Sequence, residues 1–143
     1  MGRPETLRFV KDVVDELKAV FPPGSPIHLG HDEVSAEAWK KCRYCQNRLK
    51  DLNETDLKAL SRDFLQQIAD YVRKDGYDAI VWDEAGELEA DKHIFVMAWR
   101  GNDFAAAAAR KGHPVILAPC SHFYFDYYQS SAPTEPKAIG GLI

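Results

Sequence analysis

Apolar positions along the chain follow two patterns, one that predicts helices and one that predicts buried strands. TLRFVKDVVDELKAVF, residues 6–21, places apolar side chains three and four apart, and the PPG that follows predicts the end of that helix. The same spacing predicts helices around residues 35–50 and 56–74, with Gly76 closing the second. Short apolar runs predict four strands, SPIHLG, YDAIVW, HIFVMAW and PVILA, with a short helix in NDFAAAAARKG before the last strand.

Strands that are apolar throughout and alternate with helices are typical of a parallel sheet with both faces covered. We therefore expect an α/β chain, a single domain over residues 1–143. Its 45% hydrophobic and 28% charged residues suit a globular domain with a core. A net charge of −4 without a basic stripe gives no electrostatic reason to expect a nucleic-acid partner, and no apolar run is long enough to predict a membrane span.

The stretch HLGHDEV, residues 28–34, places two adjacent carboxylates, Asp32 and Glu33, directly after the first predicted strand. Neighbouring carboxylates repel each other, which tends to raise the proton affinity of one and makes it a candidate general acid. The alternative is that the Asp-Glu pair opens a helix, because acidic residues favour the first helical turn. From these residues alone, the second interpretation is the stronger.

Acids and aromatic rings also follow the other predicted strands. Trp82, Asp83 and Glu84 end the second strand, Trp99 and Arg100 end the third, and SHFYFDYYQ follows the fourth. In parallel α/β proteins the carboxyl ends of the strands meet at one rim, where ligands bind. Rings beside carboxylates suit a sugar, whose apolar face packs on a ring while its hydroxyls form hydrogen bonds. For either tryptophan alone, filling of the core is the simpler interpretation.

Cys42 and Cys45 form a CRYC motif, whose spacing is compatible with a zinc site or a redox pair. The third cysteine, Cys120, is distant in the chain, and no second pair completes a tetrahedral set, so we predict neither a metal nor a cofactor. Three cysteines also give no disulfide framework. The alternative to a metal or redox role is two thiols one helical turn apart, packed beneath a loop.

Five segments in register, HLGHDEV, VWDEAGE, MAWRG, AARKGHPVILAP and FYFDYYQ, resemble glycoside hydrolase family 20, the β-N-acetylhexosaminidases. The resemblance extends to the closing AIGGLI and implies a (β/α)8 barrel, of which this chain would supply strands four to seven. A complete barrel takes about 250 residues, so we expect a partial barrel, a fragment of a larger enzyme. The resemblance also implies a carbohydrate substrate and a secreted or periplasmic parent protein.

The reaction implied by the resemblance releases terminal β-linked N-acetylglucosamine or N-acetylgalactosamine with retention, and the substrate's own acetamido oxygen is the nucleophile. Glu33 would be the general acid and then the base, Asp32 would accept a hydrogen bond from the acetamido N–H, and Tyr124 would hold the acetamido oxygen. Residues matched to sugar binding are Trp82, Trp99 and Asp126. Residues that would support these side chains are His28, His31, Asp83, Glu84 and Arg100.

Two features separate this chain from the family pattern. Where the family most often has GGDE, this chain has GHDE, so His31 would narrow the pocket, form a hydrogen bond with a carboxylate, or face solvent without a role. A half barrel would also leave strand edges and one sheet face unprotected. The alternative to an enzyme is therefore a catalytically silent fragment that binds sugar at most weakly and self-associates, two copies completing each other's barrel.

Overall fold

A computed structural model of the chain describes residues 1–138, apart from the side chain of Leu88. The end of the segment matched by resemblance, residues 139–143, lies outside the described residues. The strands are β1 (Pro26–His28), β2 (Asp78–Trp82), β3 (Phe95–Ala98) and β4 (Val115–Leu117). The helices are α1 (Pro4–Val20), α2 (Glu37–Lys41), α3 (Arg43–Asp51), α4 (Leu57–Lys74), a 3₁₀ helix (Asp83–Leu88), α5 (Asn102–Arg110) and α6 (Cys120–Phe123).

The strands form one four-stranded sheet in the order β1-β2-β3-β4, and every pair is parallel. This confirms the predicted α/β class and an open arc of parallel strands like part of a (β/α)8 barrel. No helix in residues 1–138 has the length and apolar character needed to cross a membrane.

The main core lies between the helices and one face of the sheet. Val81 and Val96 are fully buried there, packed with Leu65 and Val72 of α4. On the opposite face of β3 and β4 the alternate side chains, Phe95, Met97 and Ile116, are only half-buried. This agrees with the expectation that a half barrel leaves one sheet face unprotected rather than with a sheet covered on both faces, because crossovers between successive parallel strands place their helices on the same side.

The predicted helix over residues 35–50 is interrupted in the structure. Cys42 has an extended backbone, with φ −83° and ψ 113°, and separates α2 from α3. The Asp-Glu pair does not open a helix either, since residues 32–36 are non-helical and α2 begins at Glu37. A second cluster of buried side chains packs α3 against the start of α4 and comprises Cys45, Leu49, Ala59 and Leu60.

Candidate active site

The loop that carries the two adjacent carboxylates follows β1 directly and has an unusual backbone. The carbonyl of Gly30 accepts a hydrogen bond from the Trp82 N–H at 2.9 Å, which ties the loop to β2. Gly30, His31 and Glu33 have φ values of 71°, 76° and 48°, all in the left-handed region. Two of them are not glycine, so the loop stores conformational strain of the kind that concentrates at functional sites.

Asp32 and Glu33 are both exposed, and each faces an identifiable surface. An oxygen of Asp32 lies 3.6 Å from the position that a Cβ on Gly30 would occupy, so this carboxylate folds back over its own loop. Glu33 lines a cavity of about 490 Å³, which it shares with Glu84 from the end of β2 and with Trp39 of α2. The Trp39 indole and the candidate acid therefore border the same cavity.

His28 supports the start of this loop. Its Nδ1 accepts a hydrogen bond from the Gly30 N–H at 3.0 Å, so a neutral ring carries its proton on Nε2. The ring also packs against Trp82, with centroids 4.6 Å apart and an interplanar angle of 56°. Burial lowers the pKa of His28, against the opposing effect of the nearby Asp32 carboxylate.

His31 is directed to α4 rather than to a carboxylate. Its Nε2 lies 2.9 Å from the Oγ of Ser61, a serine that is only 6% exposed. Burial lowers the pKa of His31, although the Asp32 carboxylate raises it in part. Of the alternatives for this histidine, an unpaired solvent-facing ring is therefore wrong, and so is a hydrogen bond to Asp32 or Glu33. His31 ties the strained loop to a helix.

The ends of β2 and β3 are joined by an ion pair in which the carboxylate is buried. Asp83 is 3% exposed and accepts hydrogen bonds from the Nε of Arg100 at 2.8 Å and from its backbone N–H at 3.2 Å. The guanidinium also donates to Glu87 at 2.8 Å and covers the ring of Phe104 at 3.9 Å. A buried carboxylate needs such partners, because its desolvation is otherwise costly.

The two aromatic side chains on the β4 side of the rim face each other. The Trp99 Nε1 donates to both oxygens of Glu84, at 3.2 and 3.1 Å, which fixes the edge of the indole. The ring of Tyr124 stacks beside it, with centroids 6.3 Å apart and an interplanar angle of 23°. Glu84, which follows β2, therefore fixes the Trp99 side chain, and the indole ring faces the segment that follows β4.

Tyr124 receives the electrostatic influence of acids from several strand ends. Its pKa is raised, first by burial, then by Cys120, and then by the carboxylates of Asp126, Asp32 and Asp83. The hydroxyl therefore stays protonated and able to donate a hydrogen bond at neutral pH. Asp126 itself is exposed. Three carboxylates that follow β1, β2 and β4 act on one hydroxyl, so the structure brings these predicted residues to a common rim.

Several residues of the site were not predicted from the sequence. Ser61, Glu87 and Phe104 contact predicted residues, and Trp39 lines the cavity beside Glu33. For Ser61 a signal exists, because it lies on the apolar face of the predicted helix where a buried side chain was expected. A separate cavity of about 530 Å³ opens at the amino ends of β2–β4 and contains none of the predicted residues.

A parallel α/β sheet whose carboxyl ends present acids and aromatic rings at one rim is the arrangement in which (β/α)8 enzymes place their active sites. The chain belongs to glycosyl hydrolase family 20, since the sequence model of that family's catalytic domain matches residues 1–142. This confirms the resemblance that the sequence motifs indicated.

Named relatives agree with this assignment. A beta-hexosaminidase of Porphyromonas gingivalis is 40% identical over 141 residues, which cover 98% of this chain and 18% of that protein. A beta-hexosaminidase of Vibrio furnissii is 33% identical over 134 residues, 93% of this chain and 22% of that protein. The chain thus spans between 18% and 22% of the length of these two relatives.

Solved structures give the same result. An exo β-N-acetylglucosaminidase of Vibrio harveyi, crystallised with N-acetylglucosamine, superimposes with a TM-score of 0.88 at 33% identity, over 96% of this chain and 21% of that chain. A β-N-acetylhexosaminidase of Bacteroides fragilis gives a TM-score of 0.72 at 30% identity, over 88% of this chain and 26% of that one. The four-stranded arc therefore has the fold of part of a family 20 barrel.

Proposed function

We propose that this chain carries the acid-base and acetamido-binding residues of a β-N-acetylhexosaminidase that releases terminal β-linked N-acetylglucosamine or N-acetylgalactosamine with retention. The observation that carries the proposal is the rim at the carboxyl ends of the strands, where Glu84 holds the Trp99 indole and Tyr124 stacks beside it. The names of the family 20 relatives support the same reaction class. The chain would act as one part of a longer barrel.

The proposed reaction uses the substrate's acetamido group as its nucleophile, so no enzyme carboxylate is needed across the sugar ring. The acetamido oxygen attacks the anomeric carbon while the bond to the leaving oxygen breaks, and Glu33 donates its proton to that oxygen. A cyclic oxazolinium-type intermediate forms. Glu33 is then a carboxylate, and it removes a proton from a water molecule that attacks the anomeric carbon. This attack opens the oxazolinium ring and gives a product with the same β configuration as the substrate.

Asp32 and Tyr124 would align the nucleophile. Asp32 accepts the acetamido N–H and stabilises the positive charge that develops on this group, and the Tyr124 hydroxyl donates to the acetamido oxygen. Adjacent acids can divide the work in this way because one acts on the leaving group and the other on the nucleophile. Glu33, the acid that acts on the leaving group, has a left-handed backbone conformation with φ 48°.

The remaining contacts would keep the pocket in shape. Trp82 and Trp99 form apolar walls for the acetamido group, and each is held by a neighbour, His28 in the first case and Glu84 in the second. Asp126 is exposed at the rim and would accept hydrogen bonds from sugar hydroxyls. Catalytic side chains need such positioning partners, because small displacements of reacting groups cost large factors in rate.

The experiment that tests this function measures hydrolysis of a chromogenic N-acetyl-β-glucosaminide by the purified chain. Glu33→Gln should abolish turnover, and Glu16→Gln, which changes an exposed acid on α1, should leave it unchanged. Proton NMR of the first product should detect the β anomer, as retention requires. Turnover that survives Glu33→Gln, or an α anomer as first product, would contradict the proposal.

A second candidate function, the silent self-associating fragment, is favoured by exposed apolar surface. On α1, Phe9 is 66% exposed and Val20 is 74% exposed, and the uncovered face of the sheet carries half-buried side chains. Apolar surface of this kind favours association. In this alternative the chain is folded by circular dichroism and dimeric or larger by light scattering, but it lacks turnover. A monodisperse monomer would exclude self-association.

A further inference from the structure

The CRYC motif, which the proposed reaction does not use, lies at the start of α3. Cys42 is the residue immediately before the helix and Cys45 lies in its first turn. The Cys42 N–H donates to the Trp39 carbonyl at 3.2 Å, and the Cys42 carbonyl accepts from the Gln46 N–H at 3.0 Å. The side chain of Gln46 donates to the same Trp39 carbonyl at 3.1 Å. The backbone around the first cysteine is therefore well fixed.

The two thiols differ in accessibility. Cys45 is 2% exposed and belongs to the second buried cluster, whereas Cys42 is partly exposed and packs against that cluster from outside. A partly exposed cysteine three residues before a buried one, at the beginning of a helix, is the arrangement in which the first thiol attacks and the second resolves. Within residues 1–138, no group of three His, Cys, Asp or Glu side chains suits a metal ion.

The surroundings of Cys42 favour its thiolate. The backbone N–H and then the side chain of Cys45 lower the pKa of the Cys42 thiol, and the backbone N–H of Tyr44 adds to this effect. Burial opposes these effects, and the positive charge of the amino terminus adds a further lowering. A thiolate is the reactive form of cysteine, so this lowering of the pKa favours reaction at Cys42 over reaction at the buried Cys45.

We propose that Cys42 and Cys45 are a reversible dithiol–disulfide pair, oxidised by low-molecular-weight disulfides such as glutathione disulfide. The Cys42 thiolate attacks one sulfur of glutathione disulfide, forms a mixed disulfide and releases one glutathione thiolate. Cys45 loses its proton, its sulfur attacks the Cys42 sulfur, and the second glutathione leaves as a thiolate. Two protein thiols are thereby oxidised to one disulfide, and glutathione disulfide is reduced to two thiols.

The oxidation state of the Cys42–Cys45 pair would affect the cavity that Glu33 lines. Trp39 lines the cavity that also contains Glu33, and it packs against the cluster that contains both cysteines. The disulfide would link Cys42, which lies between α2 and α3, to Cys45 in the first turn of α3. It would thereby restrict the Cys42 backbone, whose N–H donates to the Trp39 carbonyl. The inference does not depend on the proposed hydrolase reaction, because the thiol chemistry is read without a sugar substrate.

Peptide mapping tests the proposal directly. The reduced chain is incubated with glutathione disulfide at neutral pH, remaining thiols are blocked, and trypsin is added without reductant. Trypsin cleaves after Lys41, Arg43 and Arg48, so the reduced chain releases CR and YCQNR as separate peptides. We expect the oxidised chain to release them as one linked species, lighter by two hydrogen atoms than their sum and separable by dithiothreitol.

Matched variants complete the test. Cys42→Ser and Cys45→Ser should each abolish the linked species, while Cys120→Ser should leave it unchanged. In Cys45→Ser a glutathione adduct should accumulate on Cys42, because the resolving thiol is absent. This adduct is expected only if the Cys42 thiolate attacks glutathione disulfide in the first step. A glutathione adduct that persists on Cys42 in the unsubstituted chain, a link to Cys120, or unreacted thiols in a chain folded by circular dichroism would overturn the proposal.

Discussion

The rim is built from two regions that differ in how the chain holds them. At the ends of β2 and β3, Asp83 is 3% exposed and bonded to Arg100, and Glu84 holds the Trp99 indole. After β4, Tyr124 is half-buried and Phe125 is 92% exposed. The side chains at the ends of β2 and β3 are therefore held by contacts within the chain, whereas the segment after β4 is largely exposed.

The largest effect should come from breaking the ion pair that joins β2 to β3. Arg100→Ala leaves the Asp83 carboxylate buried without its cation and should lower the free energy of unfolding by about 3 kcal/mol. Urea denaturation followed by circular dichroism measures it, with Arg110→Ala, an exposed residue of α5, as the control. A loss no larger than that of the control would mean that the pair does not stabilise this region.

A smaller effect should follow from removing the indole N–H. Trp99→Phe keeps an aromatic ring beside Tyr124 but leaves Glu84 without its donor, so the free energy of unfolding should fall by about 1.5 kcal/mol. The double variant with Glu84→Ala should lose less than the sum of the two single changes, because both single changes remove the same bond. Strict additivity in this urea-denaturation cycle would contradict the contact.

The burial of His31 predicts a pH dependence of stability. The folded-state pKa of His31 lies below its ordinary value of 6.5, so the unfolded chain binds the proton more readily and stability falls as the pH drops through and below that value. His31→Gln should make the loss of stability between about pH 7 and about pH 5 smaller. Thermal denaturation at each pH measures it, with the exposed His122→Gln as the control. An unchanged slope in His31→Gln would disprove the assignment.

The smallest change in stability should come from the exposed side of the comparison. Tyr124→Phe retains the stacked ring, so the free energy of unfolding should change by at most about 0.5 kcal/mol. If the proposed reaction is correct, the same variant should lose turnover by about 100-fold, because one donor to the developing charge is removed. If the free energy of unfolding falls enough to account for the lost turnover, Tyr124 would instead have a structural role.

The sequence predicted the elements well because periodicity and strand order are local signals. The apolar runs YDAIVW and HIFVMAW became β2 and β3, and parallel pairing brought their carboxyl-terminal residues together. The helix break at Cys42 was not predicted, because no proline or glycine marks it and the break depends on how α3 packs against α4. The roles assigned to Asp32, Glu33 and Tyr124 stay predictions.

Partners across the fold were beyond the reach of sequence reasoning. Nothing in the chain order indicates that His31 would pair with Ser61, thirty residues away on α4. The backbone at His31 had a signal, since the family's usual glycine at this position is compatible with a left-handed conformation, and His31 retains it at φ 76°. A departure from a family pattern thus indicated where strain lies, although the contact that offsets it had to be seen in three dimensions.

The strand order has a consequence for how the chain folds. The β2–β3 and β3–β4 pairs join strands that are close in the chain, whereas the pairing of Ile27 with Ala79 closes a longer loop that contains α2, α3 and α4. Contacts that close short loops form faster than those that close long ones. We therefore expect β1 to join this sheet last, although it precedes the other three strands in the chain, and the carboxylates of Asp32 and Glu33 would reach their positions late in folding.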